Sequence, residues 1–356
     1  MRRRRLGRVG LGLSTAILGL FLAAAPALAC GGLIGPNGAV NLLRTSTLAA
    51  YHDGVEHYVT AFEFAGGGGA FGSITPLPGI PTSVEKGGDW TLQRLVRETT
   101  PVSEFDAVRA GAASPSASGA VELQKVTIDA LDLTVLKGGA ADIGIWAKDH
   151  GFRLPPDAPE VLDFYARRSQ IFLAAAFDAN AAQARGQSIG DGTPVHITIP
   201  TDNPWVPLRI LALGKTGAEP VQADVYLLTD HAPALLPTPT GSNGIRLDAS
   251  EAASRNLLDD LRADRGMSWI PRSSWLTKIA VDAEAGQLGF DLAIDASGAG
   301  RPSAIDAGFT MPGALIPATP VDLSRLFLAL GFAGIGIAGV GLVMRARPAG
   351  GPPAAW

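Results

Sequence analysis

The chain has 356 residues, 47% of them hydrophobic, and a formal net charge of −4. That length can bury a substantial core as one large domain or two small ones, and the acidic balance disfavours nucleic acid and anionic lipid, both of which are held by lysine and arginine. A single cysteine, Cys30, excludes an internal disulfide, so packing must hold the fold together.

In chain order, residues 1–29 read as an export signal. Arg2–Arg5 and Arg8 form a positive region, Leu11–Ala24 an uncharged apolar one, and Ala27-Leu28-Ala29 a small-residue cleavage site. Cleavage leaves Cys30 first, although Ala27 and Leu28 depart from the usual lipidation pattern. An ectodomain over 30–296 follows. Strands are expected at Leu48–Tyr51 and Val55–Phe64 around Asp53-Gly54, a favoured hairpin pair, and at Phe71–Leu77. Asp89 is placed to cap a helix running to about Arg97. Strands at Val121–Ile128 and Leu131–Leu136 lead to helices at Ala140–Lys148 and Asp157–Arg168. Four strands are then expected: Ile171–Phe177, Pro194–Ile199, Pro207–Leu213 and Val221–Leu228. Asp248 with Glu251 forms a capping-box pattern for a helix to about Asp264, which Gly266 can end. Strands at Lys278–Asp282 and Leu288–Ile294 close the ectodomain. Helices and strands come in runs, so the expected class is α+β, mostly antiparallel sheet with several helices.

A Gly, Pro and Ala-rich linker spans 297–320, and a transmembrane helix is expected within 321–345. Arg325 and Arg345 there delimit the uncharged Leu326–Met344, which at ~1.5 Å per residue reaches about 28 Å, the thickness of a bilayer core. Arg345 and Arg347 place the tail, 346–356, in the cytoplasm. The expectation is a single-pass protein of the cell membrane with its N-terminal ectodomain outside. Without the five signal arginines and the two of the tail, 22 basic residues face 33 acidic ones, a net charge near −11.

Several segments carry a family resemblance: Ala29-Cys30-Gly31-Gly32, the Glu56–Phe64 strand, the run from Phe71-Gly72-Ser73 through Pro78-Gly79-Ile80-Pro81, Tyr165 followed by Ile171–Phe177, Pro207-Leu208-Arg209-Ile210, and Ala223–Leu228. Together they resemble the bacterial domain of unknown function 2330 family over nearly the whole ectodomain. Ser73 stands where a tryptophan is common. The resemblance implies a secreted or membrane-anchored protein with no established activity, and it carries over no catalytic residue.

Three patterns invite a chemical reading. Gly186-Gln187-Ser188-Ile189-Gly190 has nucleophile-elbow spacing, but a strand rather than a helix is expected after it, so a hairpin loop is the simpler reading. Were Ser188 a nucleophile, Asp224 or Asp230 with His231 would complete the order Ser, Asp, His. Gly67, Gly69 and Gly72 match a dinucleotide fingerprint without the helix N-terminus it needs. His52, Asp53, Glu56 and His57 are the densest set of metal-ligand types, and His52 and His57 could face each other across the hairpin, yet such flanking side chains are usually solvated. No metal and no cofactor is therefore expected. Trp205 and Trp269, both close to prolines on expected loops, are candidates for a partner surface, or caps of the core. The reading that follows is a non-enzymatic binding or structural module of the bacterial cell envelope, with an envelope protein as possible partner; the alternative is an extracytoplasmic hydrolase using Ser188.

Overall fold

The fold was analysed in a computed structural model that describes residues 27–28, 32–35, 38–39, 44–62, 71–100, 120–177 and 193–309. All of them belong to one compact unit, 1–310. The N-terminal strands are β1 (Ala27–Leu28), β2 (Gly32–Gly35), β3 (Gly38–Ala39), β4 (Arg44–His52), β5 (Val55–Phe62), β6 (Phe71–Leu77) and β7 (Ser83–Lys86). Helix α1 (Thr91–Thr99) precedes β8 (Val121–Ile128) and β9 (Leu131–Lys137). Helices α2 (Ala140–Asp149) and α3 (Ala158–Ala166) lead to β10 (Ile171–Phe177), β11 (Thr193–Pro200) and β12 (Trp205–Val206). The rest comprises β13 (Pro220–Thr229), β14 (Ala234–Leu236), β15 (Ile245–Ala252), α4 (Arg255–Ala263), β16 (Trp275–Glu284) and β17 (Leu292–Asp295).

The strands form three sheets. The largest runs β15-β16-β13-β4-β5-β11-β7, with β1 against the start of β4; the second runs β3-β2-β6-β10-β9-β8; the third is β12-β17-β14. Among the described strands only β1 with β4 and β13 with β4 pair in parallel, so the class is α+β with mostly antiparallel sheet. The β4–β5 hairpin forms where the sequence points to it. Asp53 and Gly54 both take positive φ, at 49° and 78°, the twist that matches a two-residue hairpin turn. Strand β10 is apolar throughout and lies between β6 and β9, buried on both faces.

Packing follows the alternation of side chains along each strand. Tyr58, Ile197, Val225 and Ile279 of the large sheet share one hydrophobic core with Leu133, Leu173 and Ala175 of the second sheet and with Val206 and Ile294 of the third. The opposite face of the large sheet, through Leu48, Val59 and Tyr226, packs on Leu95 of α1 and Leu258 and Leu261 of α4. Helices α2 and α3 pack on each other, and Phe152, just after α2, lies on β6, where a Cβ at Gly72 would come within 2.8 Å of its ring. Glycine is required there by close approach.

Three local expectations are corrected. Pro207–Leu213 is not a strand but carries a 3₁₀ turn, Arg209–Ala212, because its backbone N–H groups are taken by side chains: Leu208 and Arg209 donate to Asp291 Oδ1, and Ile210 donates to the Tyr165 hydroxyl. Asp248 and Glu251 lie in strand β15, and the helix starts later, capped by Ser254, whose hydroxyl accepts from the Leu257 N–H at 3.1 Å. Asp89 does not cap α1. Asp264 does so from across the sequence, accepting from the Asp89 and Trp90 N–H groups and from the Thr91 hydroxyl at 2.8 to 3.1 Å. Of the two readings open for Trp205, the core one holds: it is fully buried in β12.

Within the stretch read as a linker, residues 301–309 pack on the domain: Ala307 is buried, and the Asp291 N–H donates to its carbonyl. Among the described residues no helix is long and apolar enough to cross a membrane. Leu326–Met344, Cys30 and most of the export signal lie outside them; of the signal, Ala27 and Leu28 form β1.

Candidate functional site

The β4–β5 hairpin presents a different chemistry on each face of the large sheet. On the core face Tyr51 of β4 stands directly opposite Glu56 of β5. The Tyr51 hydroxyl donates to the Thr201 carbonyl at 3.0 Å, and burial together with the negative charge of Asp202 raises its pKa. Glu56 is fully buried. The Trp205 backbone N–H lies near enough to favour its charged form but falls short of hydrogen-bond geometry; both carboxyl oxygens remain without a hydrogen bond, and burial pushes the pKa up to about 8. At neutral pH this carboxyl is protonated.

Beside them lies a cavity of about 440 Å³, lined among others by Tyr51, Asp53, Asp202, Asp230, Asp295 and Arg301. Four carboxylates therefore face one cation. Asp295 is partly committed, accepting from the Ser297 N–H at 2.8 Å and the Arg301 N–H at 2.6 Å, which fixes the loop closing one side. Asp230 Oδ1 lies 2.7 Å from His52 Nδ1, within hydrogen-bond distance.

On the helix-covered face the imidazoles meet. His57 Nδ1 and His196 Nε2 lie 2.9 Å apart and share one proton. Trp269, from the loop after α4, stacks on both rings at centroid distances of 4.0 and 4.9 Å. Burial holds both histidines neutral: the pKa of His57 falls to about 4, helped by the charge of His52, and that of His196 to about 3, helped by His57. Ser83 donates to the Thr198 hydroxyl at 3.1 Å, and that hydroxyl lies 3.5 Å from His196 Nε2.

The sequence candidates separate. His52 and His57 do share a face, since His52 pairs with Val55 and His57 with Ala50, but the first turns to Asp230 and the second to His196. Asp224 is buried beside Lys278, with Oδ1 3.5 Å from Nζ; His231 is exposed, and its carbonyl accepts from Thr229. Ser188, Gly67 and Gly69 lie outside the described residues. Sequence reasoning did not single out Asp295 or His196, the latter because only strand register brings it to His57. The burial of Glu56 had a signal: alternation in β5 puts it on the same face as Tyr58.

The described chain is thus a mixed α+β protein whose antiparallel sheets bury a common core, with an acid-lined cavity on one side of a hairpin and a histidine pair on the other. It belongs to the bacterial family of domain of unknown function 2330, described as an uncharacterized protein conserved in bacteria, whose profile matches residues 24–235. No curated protein matches it. Among solved structures it is similar to baculovirus P35, with a TM-score of 0.37 and 10% identity over 70% of this chain and 96% of that one. A mutated baculovirus P35 after caspase cleavage gives a TM-score of 0.36 and 7% identity over 72% and 98%. A third, a chain of the caspase-8/P35 complex, gives 0.35 and 9% over 70% and 95%. Likeness at this level assigns no activity.

Proposed function

We propose that the chain is a non-enzymatic binding module of the bacterial cell envelope, exported by residues 1–29 and held at the membrane by the single span expected within 321–345. The observation that supports this reading is the cavity beside Tyr51. Its four carboxylates and one arginine form an anionic recess on an ectodomain whose own charge is near −11, and such a recess favours a partner that brings a cationic group. An envelope protein presenting a basic side chain fits that chemistry.

The test is photocrosslinking from the intact protein in cells. A photoreactive residue at Asn203, on the cavity wall, is expected to capture a discrete partner. The same residue at Leu247, exposed on edge strand β15, is expected not to. Asp53→Asn with Asp202→Asn should reduce the Asn203 adduct about tenfold or more, since each removes a charge from the recess. Identical adducts from both positions, or none above those of the span expressed alone, would overturn the reading.

A further inference from the structure

The histidine pair on the opposite face of the hairpin supports a second site, independent of the cavity. His57 and His196 come from neighbouring strands and hold two imidazole nitrogens 2.9 Å apart. Trp269 engages the faces of both rings, which fixes the ring planes but not rotation within them, and leaves the in-plane lone pairs, the ones a metal uses, clear of the stack. With Zn–N bonds of about 2.0–2.1 Å, two imidazole ligands in tetrahedral geometry sit about 3.3 Å apart; the two nitrogens now face each other head-on, with ring centroids 5.1 Å apart, so the pair has to open by a few tenths of an ångström and each ring has to turn within its plane towards the ion.

Two side chains on the same face carry oxygen donors. The Thr198 hydroxyl lies 3.5 Å from His196 Nε2 and is itself held by Ser83. Glu85 of β7 stands directly opposite His196 in the ladder and is exposed, so both side chains leave the sheet on the same face. In this conformation no third His, Cys, Asp or Glu converges with the pair among the described residues; a rotamer change of Glu85, or water, completes the shell.

We propose that His57 and His196 form a binding site for a divalent ion of the zinc class. Loading involves no net proton loss. The ring that donates within the pair moves its proton to its other nitrogen, and both facing lone pairs then turn to the ion. Imidazole suits zinc, copper and nickel ions, whereas calcium and magnesium prefer all-oxygen shells.

The experiment is calorimetric titration of the full-length chain in detergent with zinc chloride, run beside magnesium chloride. One equivalent of zinc should bind, and magnesium should not compete. His57→Gln and His196→Gln should each weaken zinc by about tenfold or more, while His231→Gln, an exposed residue away from the pair, should leave it unchanged. Thermal melting of each variant shows whether it is folded. Should His196→Gln fail to fold, cobalt chloride on the wild-type chain supplies the second readout: cobalt bound at the pair quenches Trp269 fluorescence, so Trp269→Phe should remove most of the quenching. Absence of zinc binding would overturn the proposal. So would binding that is lost in His52→Gln but kept in His57→Gln, because it would place the ion at the His52, Asp53 and Asp230 side chains, and so would quenching that survives in Trp269→Phe.

Discussion

Burial keeps Glu56 protonated up to a pH of about 8, whereas the unfolded chain releases that proton near its ordinary value of 4.5. The folded state therefore binds the extra proton between these limits, and stability that is fully present below 4.5 is lost as pH rises through 8. His57 and His196 act in the opposite direction on the acid side. Their pKa values are lowered to about 4 and about 3, so the unfolded chain takes up protons first as pH falls below 6.5, and stability present above 6.5 is lost through the folded values. Replacing Glu56 by glutamine removes the alkaline loss alone. In urea unfolding, the stability of Glu56→Gln relative to the wild type should rise between pH 5 and pH 9 by up to about 4 kcal/mol. An equal difference at both pH values would show that Glu56 does not hold its proton.

At the scale of elements, segments whose own residue pattern sets their backbone were legible, and those fixed by side chains from distant parts of the chain were not. The α2 and α3 helices, the Asp53-Gly54 hairpin and the all-apolar β10 follow from residues within each segment. Pro207–Leu213 has apolar content that suits a strand, yet Asp291 and Tyr165 take its N–H groups. Asp248 and Glu251 make a capping box only if the chain turns there, and the pairing of β15 with β16 keeps it extended until Ser254. The start of α1 shows the same logic: its cap is Asp264, which also accepts from the Arg265 N–H. Asp264→Ala leaves the Asp89 and Trp90 N–H groups and the Thr91 hydroxyl without their acceptor. Denaturant unfolding should show a loss of about 2–3 kcal/mol; a loss below about 0.5 kcal/mol would mean that water replaces the carboxylate.

For the whole molecule, Asp291 fastens parts that no strand pairing joins. Fully buried, it accepts from the Tyr165 hydroxyl at 2.8 Å, from the Leu208 and Arg209 N–H groups, and from Arg168. The Arg168 guanidinium lies over Phe164, Tyr165 and Trp205 and donates to the Asp306 carbonyl. One carboxylate thus ties α3, the 3₁₀ turn, β12 and the last described segment together. Asp291→Ala strands a buried cation and three donors, and thermal or urea unfolding should register about 3–5 kcal/mol of destabilisation. None of this was readable beforehand, since Asp291 stands in sequence as one acid among many, inside the expected strand Leu288–Ile294. The family match ends at residue 235, so Asp291, Trp269 and the β15–β16 edge all belong to the part beyond it.

The parallel pairing of β4 with β13 places Thr45 beside Ala223 and Tyr51 beside Thr229, partners separated by roughly 180 residues. A ribosome making the chain from its N-terminus releases β4 and β5 long before β13 exists, so one side of β4 waits with its backbone groups unpaired. Contacts that distant form slowly, and an open strand edge recruits other chains. The middle of the largest sheet consequently stays open until β13 has emerged, and nascent chains halted before Pro220 should be the ones that clump.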